Sequence, residues 1–542
     1  MKQKLSTLAV ILSSALPAWA LAQTQPYAEL ALPAAVNPVP DKMPSSLGST
    51  PPPAAPARDW VVTPSVSVRE AYTDNVRLTP VGAPDSLTSI GAGLTVKEDT
   101  RRLKLTLDGE VNYDAYRRAT DLDGIRYTVY GNALGELVEN TLLVDMRASI
   151  NVQPISANGV ISAIDRRLPG NQVEVINASV SPYLTHDFGS WASGELRYRL
   201  SLLDYSGSVG AGATPLAASV AAAPAVAAPL AAAPFVPVTT TSNQILANLR
   251  AGPQFTEFRW VVEGWANQAD YSGGRTVTQG TFSLTGEYAL MRQVALIGIV
   301  GFDSFNDSAL ADSDRVDGSL RVGTRLTPGP RTDLLLEGGT RYGGPYWSGQ
   351  FRYRISSSLL LSAIHREMVT TQQDLANSSL NDLVRDEQGR LADPLTGDIV
   401  DPNFFPFANS AQNFSLQTSR IELGGSADRT SGSLSLEYDQ RVLGTSSLGA
   451  GGGDRQNSLL VGGSLSRQLT RHADLSLSFW LGKTEDSLAS GSYSIRRVSA
   501  TYDYDFTASL RASLGFRRYT LNNEIGPRYS ENAATITVRQ QF

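Results

Sequence analysis

The stretch TITVRQQF, residues 535–542, puts Ile536, Val538, Gln540 and Phe542 on one face and Thr535, Thr537, Arg539 and Gln541 on the other. Side chains of an extended chain alternate between two faces, so this is a strand with a largely apolar side and a polar side. A soluble sheet would bury the first against a core. A strand in a bilayer shows it to lipid and turns the second toward a lumen. The pattern of the remaining chain decides between them.

The same period of two recurs from Trp60 onward. LKLTLDGEVNYDAY (103–116) sets Leu105, Leu107, Val111 and Tyr113 opposite Lys104, Asp108, Glu110 and Asp114. SLSLEYDQRV sets Leu434, Leu436 and Tyr438 opposite Glu437, Asp439 and Arg441, and VSATYDYDF sets Val498, Tyr502, Tyr504 and Phe506 opposite Thr501, Asp503 and Asp505. Between strands the breaks alternate in length. Ten are short, such as 139–140, 290–293, 356–358 and 470–473, and eleven are longer and polar, among them 74–85, 155–170, 206–241, 343–348 and 370–411. About 22 strands follow, an even number. Lipid satisfies no backbone hydrogen bond, so a spanning sheet must close. Short turns on one side and long loops on the other are the asymmetry of an outer-membrane barrel. The predicted fold is all-β, a transmembrane antiparallel β-barrel over 59–542 in a Gram-negative outer membrane, embedded in its lipid. Trp60, Trp191, Phe258, Trp260, Tyr288, Phe506 and Phe542 gather beside the short turns, as an interfacial aromatic girdle does.

Composition agrees. Net charge is −6, with 46 basic and 52 acidic residues scattered along 542, which excludes the concentrated basic face of a nucleic-acid binder. Cysteine is absent and only His186, His365 and His472 represent histidine, so thiolate chemistry and disulfides are excluded. Residues 1–22 read as a signal peptide and 23–58 as a Pro/Ala-rich periplasmic linker. The apolar run SVAAAPAVAAPLAAAPFVPV (219–238) carries four prolines, which break a membrane helix, so it reads as a low-complexity external loop.

Tests for enzymatic chemistry fail at this level. No histidine has a serine and acid at a known spacing, Asp503 and Asp505 read as paired lumen charges, and GAGGGD (449–454) lacks the Lys-Ser/Thr of a phosphate loop. The expectation is no catalytic residue, no cofactor and no metal. The loop 370–411 either constricts the lumen or stands outside as a binding surface, and NDLVRDEQGRLADP within it reads as a short helix and turn.

The polar parity names the expected lumen lining: Arg197, Arg199, Arg321, Arg325, Arg341, Arg352, Arg354, Glu437, Asp439, Arg441, Arg497, Asp503, Asp505, Arg511 and Arg517. Mixed charges there form cross-strand ladders, and with no plug domain the reading is a porin-like conduit. The alternative is a non-conducting structural or adhesive barrel that works through its long external loops.

WVVTPSVSVREAYTDNVRLTP (60–80), then DSLTSIGAGLTV (85–96) and GELVENTLLVDMRASI (135–150), resembles the PEP-CTERM system-associated outer-membrane β-barrel family, most specifically at YTDNV, Tyr72 to Val76. The resemblance implies a role in exopolysaccharide export or cell-surface assembly, with exopolysaccharide or its export components as partners. Ile536, Val538, Gln540 and Phe542 resemble the signal read by barrel-assembly machinery, a further expected partner. Asp74 and Asn75 are turn-formers expected to end the first strand, with a calcium or sugar site there as the functional reading.

Overall fold

Each alternating segment can satisfy its backbone only by pairing with a neighbour on both sides, and here every one does. The computed structural model describes residues 60–154, 161–164, 172–206, 239–309, 314–371, 374–375, 384–385, 391–392, 414–443, 455–486, 491–524 and 528–542. The strands are Trp60–Thr73 (β1), Asp85–Asp99 (β2), Leu103–Tyr116 (β3), Gly124–Val138 (β4), Leu142–Pro154 (β5), Gln172–Asp187 (β6), Ala192–Ser206 (β7) and Thr240–Ala251 (β8). They continue as Phe258–Tyr271 (β9), Thr276–Met291 (β10), Val294–Asp307 (β11), Arg315–Gly329 (β12), Thr332–Arg341 (β13), Gly344–Arg354 (β14) and Leu359–Thr370 (β15). After the two-residue strands Val384–Arg385 (β16) and Leu391–Ala392 (β17) come Phe414–Ala427 (β18), Thr430–Leu443 (β19), Arg455–Thr470 (β20), Ala473–Asp486 (β21), Tyr493–Asp505 (β22), Leu510–Asn523 (β23) and Arg528–Gln541 (β24).

All but β16 and β17 form one 22-stranded sheet, and the pairing of β1 with β24 closes it. The closing register runs from Ser65 opposite Gln541 to Thr73 opposite Ala533. Phe542 extends the seam past β24, its N–H donating to the Pro64 carbonyl at 2.9 Å. At the other end the YTDNV segment clasps β24. The Asp74 carboxylate accepts the Asn532 backbone N–H at 2.8 Å and its side-chain amide at 2.6 Å. The Asn75 amide donates to the carbonyls of Thr79 at 2.7 Å and Ser530 at 3.0 Å. Both residues that invited an ion or sugar reading are thus engaged in the seam.

Closure fixes which parity faces out. On β1 and β24 the outward row is Val66, Val68, Ile536 and Val538, all exposed, while Ser65 and Ser67 are buried inward. Large exposed apolar side chains occupy the same outward parity on strands around the ring, including Leu107, Val111, Leu320, Val322, Leu434 and Leu514. A closed wall with such a face spans the outer membrane. The girdle residues stand at the short-turn end, where Trp260 packs against Trp191 at 5.3 Å and Phe255 at 5.8 Å between ring centroids.

Two expectations are corrected. The break at 343–348 is a two-residue turn, because Tyr342 and Gly343 both adopt positive φ (51° and 71°), the conformation that a tight hairpin's twist requires. β14 therefore starts at Gly344 and absorbs Tyr346 and Trp347. Within NDLVRDEQGRLADP, Val384–Arg385 pairs with Leu391–Ala392 as strands, so this part is not helical; pairing satisfies backbone groups that a single helical turn leaves open. Segments 1–22, 23–58, 219–238 and 449–454 lie outside the described residues.

Two predictions follow from closure and parity. Ile536→Arg, on the lipid face, should destabilise the barrel by about 2–4 kcal/mol in urea titrations in lipid vesicles. Thr535→Arg, one residue away over the bare backbone of Gly515 in the lumen, should cost well under half of that. Asp74→Ala should cost about 1–3 kcal/mol, the loss of a carboxylate shared by two donors, by the same titration.

Candidate transport lumen and its external mouth

All fifteen charged residues singled out above lie on the inward parity, since the strand registers carry the Ser65/Ser67 face continuously around the ring. Most meet partners across neighbouring strands. Arg321 donates to Glu337 at 3.1 Å and Arg325 to Asp333 at 2.6 Å. Arg341 reaches Asp303 at 3.1 Å, and Arg511 forks onto Asp505 at 2.5 and 3.0 Å. Arg197 sits 3.8 Å over the Tyr183 ring and donates to Glu195 at 2.8 Å, while Arg199 donates to Gln244 at 3.2 Å. Arg441 is buried, bonded to the Gln456 amide oxygen at 2.9 Å and lying 5.1 Å over the Phe414 ring. Asp439 accepts from Thr418 at 2.7 Å, Glu437 lies 3.9 Å from Arg420, and Asp503 accepts the Ser513 hydroxyl. Arg497 lies opposite Trp480 and Tyr519, and Arg352 opposite Asp333 and Ser362; Arg354 follows it on β14. Arg517 donates to the Ala163 carbonyl at 3.4 Å. The lumen wall is a polar ladder whose charges mostly neutralise one another.

That last contact leaves the wall. Ile161–Ile164 belongs to the connection between β5 and β6, yet it is bound to β24 on the far side of the seam. Tyr529 holds it by its hydroxyl, accepting the Ile161 N–H at 2.7 Å and donating to the Ile161 carbonyl at 2.6 Å. Glu531 is fully buried and accepts from the Ser162 hydroxyl at 3.0 Å, the Ala163 N–H at 2.5 Å and the Thr73 hydroxyl at 2.7 Å. Ala163 and Ile164 pack into an apolar cluster with Val76, Leu87, Tyr493, Tyr519 and Leu521. An external connection is therefore folded inward at the mouth.

A second inward segment occupies the other side. After β15, Thr371 and Asp374 are buried, and the Asn267 amide of β9 and the Thr371 hydroxyl each donate to the Asp374 carboxylate at 2.9 Å. β11, central to this arc, lies ten strands from β1 in a ring of 22, so the two inward segments face one another across the mouth. On the same arc a small pocket opens between Trp265, Thr281, Asp303, Phe305, Tyr342 and Val369. Gly343 is favoured in the turn beside it by its positive φ of 71°, which residues with a Cβ rarely adopt. Burial pushes the Asp374 carboxyl up to about 6, against the hydrogen bonds from Thr371 and Asn267.

Sequence reasoning missed Trp265, Asn267, Tyr529 and Glu531 as mouth residues. A signal was present in FRWVVEGWANQADY, where Trp265 shares its parity with Glu263 and Asn267 and so must face the lumen. Ile161–Ile164 carried no comparable mark. The histidines sit apart from these features: His365 is on the lipid face, stacked on Trp347 with ring centroids 3.5 Å apart and bonded to the Ser419 hydroxyl at 2.8 Å.

No family model and no curated protein matches this chain. Solved structures that resemble it include the ferric-catecholate import receptor Fiu of E. coli K12 in its open form, at 10% identity and a TM-score of 0.48 over 88% of this chain and 81% of that one. The siderophore receptor PirA of Pseudomonas aeruginosa gives 10% identity and 0.43 over 89% and 80%. The FrpB iron transporter of Neisseria meningitidis gives 8% and 0.45 over 90% and 82%. What those proteins import is a property of theirs.

The raised carboxyl of Asp374 sets a pH dependence. A carboxyl shifted upward by folding favours the folded contact fully below its ordinary value of 3.8 and loses that advantage as pH rises through about 6. The Thr371 and Asp374 contacts should therefore be held more tightly at pH 5 than at pH 7.5, by about 1.4 kcal/mol, since only the pH unit between 5 and about 6 falls inside that window. Because the chain has no cysteine, Leu375→Cys offers a single thiol. Its modification, normalised to an exposed control thiol, should accelerate at pH 7.5, and Asp374→Asn should remove the difference.

Proposed function

We propose that the protein is a passive conduit for polar solutes across the outer membrane, porin-like in its wall and narrowed at its external mouth by the two inward segments. The observation that carries this reading is the row of charged and hydroxylated side chains that recurs on the inward parity around the 22 strands, with a largely apolar outer row behind it. Such a lumen hydrates, because its ladders leave residues such as Asp505, Arg511 and Arg539 about a third exposed on the inside. The mutual pairing of the charges supports weak selectivity along the wall, with discrimination at the mouth. In the setting that the resemblance at YTDNV implies, the solute would be an exopolysaccharide chain or a component of its assembly at the cell surface. A lumen of this strand number is wide enough for a single extended polysaccharide.

Purified protein in planar bilayers should show stepwise ohmic conductance; a folded, inserted barrel that stays silent at every pH and voltage would end the conduit reading. Glu531→Ala should raise the conductance. It removes the carboxylate that Ser162, Ala163 and Thr73 donate to, a loss of about 1–3 kcal/mol that releases the Ile161–Ile164 segment.

A further inference from the structure

On the outer wall, three successive strands carry a cation where the apolar row ends. Going from the short turns toward the external loops, the outward row changes from Leu481 to Lys483 on β21, from Val498 to Arg496 on β22 and from Phe516 to Arg518 on β23. Arg496 lies two residues nearer the short turns than Ser494, the residue opposite Lys483. Arg518 lies two nearer than Thr520, the residue opposite Arg496. Strands that lean against the barrel axis produce that stagger, so the three cations share one level, the external edge of the apolar band.

The charge of the two arginines is not answered from within the protein. Arg496 stands opposite Leu481 and Thr520, and Arg518 opposite Val498 and Asn532, so no carboxylate faces either across a strand pair. Both are exposed, and among the described residues neither forms an ion pair. Lys483 differs, for it has Glu485 at 2.5 Å. Arg496 and Arg518 are diagonal neighbours, a relation that sets backbone positions about 7–8 Å apart, so their charges repel until an anion sits between them. Acidic residues of the outward row lie on other arcs and are taken up by hydroxyls: Glu174 by Tyr127, Asp204 by Thr239 at 2.5 Å and Asp270 by Thr276 at 2.8 Å.

We infer that Arg496 and Arg518 bind the phosphate of an anionic lipid of the outer leaflet, whose acyl chains lie along the apolar rows of β21–β23 beneath them. Position commits the site to a lipid rather than a soluble anion. The pair opens sideways from the wall, directly above the exposed side chains of Leu481, Val498 and Phe516, and points away from the lumen. A guanidinium forks onto two phosphate oxygens, so two at this spacing hold one phosphate monoester from both sides. Lipid tails complete the fit, because the same face continues below as the membrane-spanning band. This face owes nothing to whether the lumen behind it conducts.

Native mass spectrometry of the protein in a neutral detergent tests it, with diphosphorylated lipid A as the probe and its dephosphorylated form as the uncharged counterpart. The parent should bind the diphosphorylated lipid, and its affinity should fall about tenfold in Arg496→Gln/Arg518→Gln. Each single substitution should give part of that loss. Neither side chain holds any other part of the wall, so heat-modifiable mobility should show all three variants as folded barrels. Arg467→Gln removes an exposed cation of the same outward parity at the short-turn end of β20, and should bind as the parent does. Equal binding by the parent and the double variant, equal binding of the dephosphorylated lipid, an equal loss in Arg467→Gln, or no lipid on the parent would each overturn the inference.

Discussion

Everything in this molecule depends on the seam between β1 and β24, because lipid tolerates no unpaired backbone and 22 strands are useless until the first meets the last. The seam also decides parity. A slip of one residue there would send Ser65, Ser67 and Arg539 into lipid and Val66, Val68 and Val538 into the lumen. The register is fixed at both ends. Phe542 bonds Pro64 at the short-turn side, and Asp74 with Asn75 grips Ser530 and Asn532 at the loop side. The second grip joins residues more than 450 positions apart, so it forms only after the whole ring is assembled.

Parity in turn creates the electrostatics. Side chains excluded from lipid must be polar inside, and packed side by side on a curved wall they pair across strands. Arg321 with Glu337, Arg325 with Asp333 and Arg511 with Asp505 are consequences of the fold before they are features of a transport path. A guanidinium held by a carboxylate has little left to offer a solute. Specific recognition therefore falls to places where the ladder is interrupted by something that is not a strand, and these lie at the external mouth.

The wall was legible in the sequence, and the mouth mostly was not. Alternation in segments such as 103–116 and 434–442 reports a local property, which way each side chain points, and the backbone enforces it. The inward set of arginines and acids is legible for the same reason. The two-residue turn at Tyr342–Gly343 was hidden because Gly343, Gly344 and Pro345 read together as a loop, although Tyr342 accepts positive φ inside the barrel. The Ile161–Ile164 segment was hidden for a different reason. Its place is set by Tyr529 and Glu531, some 368 residues later, and no local pattern encodes a partner at that distance. Trp265 stands between these cases: its parity was readable, but its burial depends on the strands packed beside it.

The two inward segments divide the work of the barrel from the work of its mouth. Strand number sets the bore of the wall, and in lipid that number cannot be adjusted by small steps, since strands enter as hairpins. The bore at the mouth is set instead by segments anchored on opposite arcs, one through Glu531 and one through Asp374. Glu531 is satisfied by donors from Thr73, Ser162 and Ala163. Asp374 is buried with two side-chain donors, from Thr371 and Asn267, and burial raises its carboxyl to about 6, so its anchor weakens as pH rises through that value. An aperture with one jaw held through a titratable Asp374 can change width while every membrane-spanning hydrogen bond stays in place.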